Sequence, residues 1–216
     1  PQVTRTKTRP LASRALSVRV GIVILIISLA CAAVLAFYLN PLSFMLCVAA
    51  VPFIVFYPLA KRVFPVPQLV LSLAWGFAVL ISWTAVTAQI EPATWLLWGA
   101  TVAWTLGFDT GYALSDREDD LQLGIKSSAI FFGKHTPEAI GIFYALTVIL
   151  LTWTGLKLGL GSAFWFSLVL ATAGWIWQYL TLRKPYIPRS IYGKVLGQNV
   201  WLGFILLAGM ILGYLA

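Results

Sequence analysis

Charged residues, cysteine and histidine are all scarce in this sequence of 216 residues. Aspartate, glutamate, lysine and arginine make up 10% of it and hydrophobic residues 60%, whereas soluble domains carry about 25% charged residues. The two cysteines, Cys31 and Cys47, lie within apolar stretches, and His135 is the sole histidine. A soluble domain is therefore excluded. A disulfide framework or a cysteine-based metal site is excluded too, because each needs more cysteines in closer spacing.

Apolar runs of about 20 residues recur along the whole chain, and this is the length a helix needs to cross roughly 30 Å of hydrocarbon. They predict an all-α, polytopic transmembrane helix bundle with seven spans. Proline and glycine stand at most of the breaks between the spans, where helices end. The predicted spans are 17–39, 42–60, 67–88, 93–114, 137–158, 162–182 and 192–215.

The basic residues give a formal net charge of +8, yet their placement indicates membrane orientation rather than nucleic-acid binding. Of the 15 lysines and arginines, all but Lys157 fall in the N-terminal segment or in alternate connections, when the first residues of the adjoining spans are included. We therefore expect the N-terminus to be cytoplasmic and the C-terminus to lie outside. The expected setting is the lipid of a bacterial inner membrane or an equivalent organellar membrane, and no nucleic-acid partner is expected.

Acidic residues crowd the end of the fourth predicted span and the segment after it. The cluster consists of Asp109, Asp116, Glu118, Asp119 and Asp120. Like charges this close repel each other unless a cation or a basic partner offsets them. If the helix continues through this stretch, Asp109, Asp116 and Asp120 project from one face and the other two point elsewhere.

A row of carboxylates at a membrane boundary suits Mg²⁺, which shares one or two carboxylates with water and phosphate oxygens. A diphosphate is the matching anionic ligand, and Arg117 and Lys126 lie close enough in sequence to neutralise it. A solvated loop with charges of both signs is the other interpretation. The spacing of the acidic residues alone does not decide between a magnesium site and a solvated loop.

Residues 109–133 resemble the second aspartate-rich motif of the UbiA superfamily, and within it the 4-hydroxybenzoate polyprenyltransferases most. Residues 5–11 resemble the stretch that follows the family's first aspartate-rich motif, and residues 57–62 resemble its Tyr-Pro-x-x-Lys-Arg element. The resemblance implies an intramembrane enzyme of nine helices that joins a polyprenyl diphosphate to an aromatic acid. It implies Mg²⁺ as the cofactor, held through both motifs, and a place in quinone biosynthesis.

The resemblance also implies roles for individual residues. Asp116 and Asp120 match the metal-binding carboxylates of the motif, and Asp109 and Tyr112 match its upstream part. Arg62 matches an arginine suggested to hold the carboxylate of the aromatic acceptor. The candidates for binding the diphosphate are Lys126, Arg117, Arg5 and Arg9.

The family's first aspartate-rich motif would precede residues 5–11, and the sequence begins at Pro1. We therefore expect residues 1–216 to be a single transmembrane prenyltransferase domain that is truncated at its N-terminus, with seven spans instead of nine. We also expect the chain by itself to be inactive or nearly so, because half of the expected metal and diphosphate ligands would be missing.

Several alternatives stay open. Trp104, Phe108 and Tyr112 lie at helical spacing beside the acidic cluster, where their rings either stabilise an allylic cation or only pack. Gln198 and Asn199 resemble a polar pair in some family members, and interhelical hydrogen bonding explains them equally well. Homogentisate, a dihydroxynaphthoate and a tetrapyrrole are rival acceptors. A membrane transporter and a non-catalytic scaffold are the rival classes of protein.

Overall fold

The computed structural model describes residues 8–215, and every regular element in that range is helical. Each predicted span corresponds to one long helix, with ends that differ by at most three residues. The short helices α5 and α6 lie in the connection between α4 and α7. The helices are α1 (Val18–Phe37), α2 (Pro41–Val63), α3 (Pro67–Thr87), α4 (Pro92–Ala113), α5 (Arg117–Gln122), α6 (Ser128–Phe131), α7 (Thr136–Leu158), α8 (Ser162–Leu182) and α9 (Arg189–Leu215). The prediction of an all-α helix bundle is confirmed.

The ends of the long helices follow from local sequence. Pro41, Pro67 and Pro92 open α2, α3 and α4, because proline lacks the N–H that a first helical turn leaves unused. The Asn40 side chain caps α2 by accepting a hydrogen bond of 3.0 Å from the backbone N–H of Ser43. Gly159 ends α7 with a φ of 63°, a left-handed conformation that glycine adopts without strain.

Six of the seven long helices are long and apolar enough to cross a membrane, and α4 is the exception. The predicted count of seven apolar spans is therefore one too high for the part of the chain that the structure describes. The reason is packing: α4 contacts α3, α7 and α9 and has ten buried residues, whereas α1 has none. A helix surrounded by protein can be rich in tryptophan, threonine and glycine, because little of its surface faces lipid.

A hydrogen-bonded group of buried side chains, which we call the Asn199 network, joins the helices around α4. The Asn199 side-chain oxygen accepts hydrogen bonds from the indoles of Trp104 (2.7 Å) and Trp175 (3.2 Å). Its amide donates to the side-chain oxygen of Gln178 (3.1 Å), which also accepts from the Tyr144 hydroxyl (2.9 Å). The network therefore links α4, α7, α8 and α9 inside the bundle.

The acidic cluster marks one end of the bundle, which we call the acidic end. Because the long helices alternate in direction, α2, α4 and α8 end there, and α3, α7 and α9 begin there. The ion pairs at this end include Glu118 with Arg189 at 2.6 Å and Glu138 with Arg183 at 3.4 Å. Both pairs are at least partly exposed to solvent.

Candidate active site

The helix does not continue unbroken through the acidic cluster. α4 ends at Ala113, a 3-10 turn covers Leu114–Asp116, and α5 then begins at Arg117. A 3-10 turn advances about 120° per residue instead of the 100° of an α-helix. The side chains after the turn are therefore rotated relative to the face on which the sequence places them.

The Asp116 carboxylate lines a cavity of about 350 Å³ at the acidic end, which we call the Asp116 cavity. Asp116 is 8% exposed. Asp119, which the helical spacing placed on another face, lines the same cavity together with Tyr112 and Arg189. The described residues that line it are Tyr112, Ser115, Asp116, Asp119, Arg189, Ser190 and Gly193. The cavity therefore combines two carboxylates, one guanidinium and the first turn of α9.

The Asp120 carboxyl group lies at a second cavity, of about 280 Å³, whose lining includes Lys126 and Pro65. Asp120 is 5% exposed. The predicted pair of metal carboxylates, Asp116 and Asp120, thus lines two cavities rather than one. The physical reason is the break at Asp116, whose φ of −104° and ψ of 0° lie outside the helical range and turn α5 away from the one-face arrangement that an unbroken helix would give.

Lys126 ties the segment after α5 to the end of α2. Its backbone N–H donates to the carbonyl of Lys61 at 2.9 Å, and its side-chain ammonium donates to the carbonyl of Val63 at 2.9 Å. Arg62 lies between these two carbonyls in sequence, and its side chain is exposed. Two predicted site residues that are distant in sequence, Arg62 and Lys126, are therefore neighbours at the acidic end.

The remaining predicted residues lie at or near the same end. Asp109 and Tyr112 lie in the last two turns of α4, and both make polar interactions. Arg117 is half-buried, and its Nε has no hydrogen-bond partner among the residues that the structure describes. Arg9 is exposed in the turns that precede α1. Arg5 lies outside the described residues.

Within residues 8–215, no three or more histidine, cysteine, aspartate or glutamate side chains converge in a way that would hold a metal ion. The predicted trio of Asp109, Asp116 and Asp120 is thus not gathered into one ligand set. Mg²⁺ needs only one or two carboxylates when phosphate oxygens and water complete its octahedron. Asp116 and Asp119 supply two at one cavity, so the donors present fit a magnesium ion that is shared with a phosphate ligand.

The three aromatic candidates separate into two groups. Trp104 packs edge-on against Trp175 at 5.5 Å between ring centroids, and its indole donates to Asn199. Phe108 packs edge-on against Trp104 at 6.4 Å. Tyr112 alone of the three lines the Asp116 cavity. The structure therefore places Trp104 and Phe108 in packing positions and Tyr112 at the site.

Sequence patterns alone did not identify Asp119 or Arg189 as site residues. Asp119 was missed because its direction relative to Asp116 depends on the non-helical backbone at Asp116. Arg189 was missed because it is 71 residues from its ion-pair partner Glu118. The sequence showed it only as one of several basic residues before the seventh predicted span. Such a contact is set by how α9 packs against the 3-10 turn, which no local pattern encodes.

Comparison with known proteins places this geometry in a family. The model of the UbiA prenyltransferase family matches residues 1–192. A 4-hydroxybenzoate solanesyltransferase of a Synechocystis species is 63% identical over 215 residues, which cover 100% of this chain and 74% of that protein. A 4-hydroxybenzoate octaprenyltransferase of an Azoarcus species is 36% identical over 213 residues, 99% of this chain and 74% of that protein.

A solved structure also resembles the fold. It is the apo structure of a UbiA homolog from Aeropyrum pernix K1, with a TM-score of 0.77 and 26% sequence identity. The match covers 96% of this chain and 77% of that one. The resemblance that the sequence motifs carried is confirmed by both kinds of comparison.

Proposed function

The chain belongs to the UbiA prenyltransferase family, and from that premise we propose that it transfers a polyprenyl group from a polyprenyl diphosphate to 4-hydroxybenzoate in quinone biosynthesis. The proposal follows the names of its relatives, a 4-hydroxybenzoate solanesyltransferase and a 4-hydroxybenzoate octaprenyltransferase. The chain is an integral membrane protein, as its apolar helices and its family indicate.

The observation that carries the proposal is the Asp116 cavity. Two carboxylates and a guanidinium line it, at the end of a helix bundle that lipid surrounds. Carboxylates serve a metal ion, and a guanidinium serves phosphate oxygens. A site with both is suited to a metal-bound diphosphate.

We assign the metal ligands to the aspartates of this segment. Asp116 and Asp120 match the family motif, Asp109 matches its upstream part, and Asp119 shares the Asp116 cavity. When bound, Mg²⁺ would supply positive charge against the leaving diphosphate. Lys126 and Arg117 would add positive charge from the same segment, and Arg9 and Arg5 from the N-terminal side.

The reaction is an electrophilic aromatic substitution. The bond between the allylic carbon and the diphosphate oxygen breaks, and its electron pair leaves with the diphosphate. A ring carbon of 4-hydroxybenzoate attacks the allylic carbon, and the proton on that ring carbon is then lost. Arg62 would hold the carboxylate of the acceptor, and the Tyr112 ring at the cavity would face the allylic cation. The surrounding apolar helices would keep water from capturing the cation.

The proposal extends to architecture and orientation. Residues 1–216 would form a single transmembrane prenyltransferase domain, with the acidic end in the cytoplasm and the C-terminus outside, following the placement of the basic residues. The membrane would be a bacterial inner membrane or an equivalent organellar membrane. That the 216-residue chain alone is inactive or nearly so stays a prediction, so the experiments below use the intact protein that carries these residues.

The test is prenyl transfer to 4-hydroxybenzoate from solanesyl and octaprenyl diphosphates, in membranes containing the protein. Asp116→Asn and Asp120→Asn should each lower turnover by roughly a hundredfold or more, because electrostatic stabilisation of the leaving group is lost. Chelation of divalent ions should abolish turnover, and Mg²⁺ should restore it. Glu138→Gln is the matched control, since it removes an exposed carboxylate at the same end that pairs with Arg183.

Three results would contradict the proposal. Normal turnover after chelation would exclude the metal. Normal turnover in Asp116→Asn and Asp120→Asn would exclude the assigned ligands. A higher kcat/KM with homogentisate or a dihydroxynaphthoate than with 4-hydroxybenzoate would identify a different acceptor, and the class of reaction would stay the same.

A further inference from the structure

We propose that Arg189 binds the diphosphate of the prenyl donor, and that Glu118 positions its guanidinium at the cavity. The inference rests on the proposed function and adds a residue to its site. Arg189 opens α9, 69 positions after Asp120 and outside the aspartate-rich segment. Its role therefore comes from the fold and not from a motif.

Charge balance within the Asp116 cavity favours this role. Of the seven described residues that line it, Asp116 and Asp119 carry negative charge and Arg189 is the one basic residue. A diphosphate that enters beside two carboxylates needs positive charge from a metal ion and from the protein. Among residues 8–215, Arg189 is the side chain of this lining that supplies such charge.

The ion pair with Glu118 holds the guanidinium of Arg189 in place and leaves other N–H donors of that group available. Its Nη2 donates to the Glu118 carboxylate at 2.6 Å. A guanidinium has five N–H donors in a rigid fork, so this bond leaves others for phosphate oxygens. Glu118 thereby limits the rotation of a long side chain that would otherwise sample many rotamers.

The start of α9 adds further positive charge at the cavity. Ser190 and Gly193, in the first two turns of this helix of 27 residues, line the cavity beside Arg189. Backbone N–H groups in a first helical turn lack intrahelical partners and carry partial positive charge. They add to the attraction that the guanidinium exerts on an anion in the cavity.

The pair has little value as a purely structural link. Both side chains are more than half exposed, and exposed ion pairs contribute little to stability. In a second pair at the same end, Glu138 with Arg183, the arginine is as exposed as Arg189 (53% against 52%), but Arg183 does not line the Asp116 cavity. Arg183 is therefore the matched control for Arg189.

The experiment measures inhibition of the intact enzyme by inorganic pyrophosphate, the leaving group, at fixed Mg²⁺. Arg189→Gln should raise both the inhibition constant of pyrophosphate and the KM for the prenyl diphosphate by about tenfold or more. The KM for the aromatic acceptor should stay within about twofold, and Arg183→Gln should leave all three constants within about twofold. Glu118→Ala should raise the pyrophosphate constant less than Arg189→Gln does, and should add nothing in the Arg189→Gln background.

Arg189→Lys keeps the folded protein testable if Arg189→Gln is not recovered. Lysine retains the charge without the fork, so its pyrophosphate constant should lie between those of the wild type and Arg189→Gln. The inference is overturned if Arg189→Gln, or Arg189→Lys where only that variant is recovered, leaves the pyrophosphate constant equal to that of Arg183→Gln. Equal effects of Glu118→Ala and Arg189→Gln would also overturn it, because a simple link between α5 and α9 predicts that equality.

Asp116→Asn separates the two proposals. If that variant is inactive while Arg189→Gln binds pyrophosphate normally, the role of Arg189 fails and the proposed function stands. If Asp116→Asn turns over normally, the proposed function fails, whatever Arg189 does.

Discussion

Replacing Asn199 by leucine should destabilise the bundle more than any exposed substitution at the acidic end. Asn199 is 4% exposed, and its side chain makes four hydrogen bonds. Three of them reach side chains on other helices, those of Trp104, Trp175 and Gln178. Leucine has the same branched arrangement of four side-chain heavy atoms and leaves no cavity, so the expected loss comes from the hydrogen bonds.

The magnitude follows from counting the interactions that are lost. Hydrogen bonds between transmembrane helices stabilise by about 0.6 kcal/mol on average and up to about 1.7 kcal/mol. A buried donor that loses its partner costs about 1–3 kcal/mol, and the substitution leaves the indole N–H groups of Trp104 and Trp175 in this position. Gln178 keeps one partner, the Tyr144 hydroxyl. We therefore expect Asn199→Leu to lower the free energy of unfolding by about 2–4 kcal/mol.

The assay is reversible unfolding of the intact protein in mixed detergent micelles, followed by circular dichroism. Gln198→Leu is the matched control, because its position is adjacent and its buried side-chain oxygen has no hydrogen-bond partner among the described residues. That substitution should change the free energy of unfolding by less than about 0.5 kcal/mol. Equal losses in the two variants would refute the reasoning, because they would mean that the Asn199 network contributes nothing specific.

Two further predictions concern the packing of α4 and the connection after it. Gly107→Ala should lower the free energy of unfolding by about 1–3 kcal/mol in the same assay, since its new Cβ would lie 2.8 Å from the Tyr144 ring. Gly111→Ala, whose nearest contact would be an ordinary 3.5 Å, should be neutral or slightly stabilising; a loss equal to that of Gly107→Ala would contradict this. Lys126→Gln should raise the KM for the prenyl diphosphate several-fold, because it loses both a positive charge and the bond to the Val63 carbonyl. An unchanged KM would remove Lys126 from the diphosphate site.

The helices were predictable because their signals are local. Apolar length identifies a span, and prolines such as Pro41 and Pro92 mark where helices begin. The burial of α4 was not predicted, because the length of the apolar run counts α4 as a span although its lower hydropathy separates it from the other six long helices. A residue such as Trp104 reads as apolar in both settings, and its hydrogen bond to Asn199 depends on a helix 95 positions away.

The site was predictable in its residue types and in its place along the chain, but not in its grouping. The resemblance at residues 109–133 located the acidic segment. The hydrogen bonds from Lys126 to the carbonyls on either side of Arg62 place these two predicted residues at the same end of the bundle. The grouping of Asp119 rather than Asp120 with Asp116 depends on one backbone break, at Asp116, whose φ of −104° and ψ of 0° separate the 3-10 turn from α5. A propensity for so short a turn is too weak to read from sequence.

The proposed site lies at the end of α4, and this follows from α4 being the long helix with the least surface open to lipid. Asp109 lies within α4 itself and would be costly if it faced hydrocarbon, because a charged side chain inside the bilayer costs several kcal/mol (about 2.5–3.5 at the helix centre on insertion scales). α4 avoids this cost by packing against α3, α7 and α9, and the Asn199 network fixes α4 to α9. The same packing places Arg189, the first residue of α9, at the cavity that Asp116 lines. The features that make α4 a poor apolar span are therefore those that would allow it to carry the proposed diphosphate site at its end.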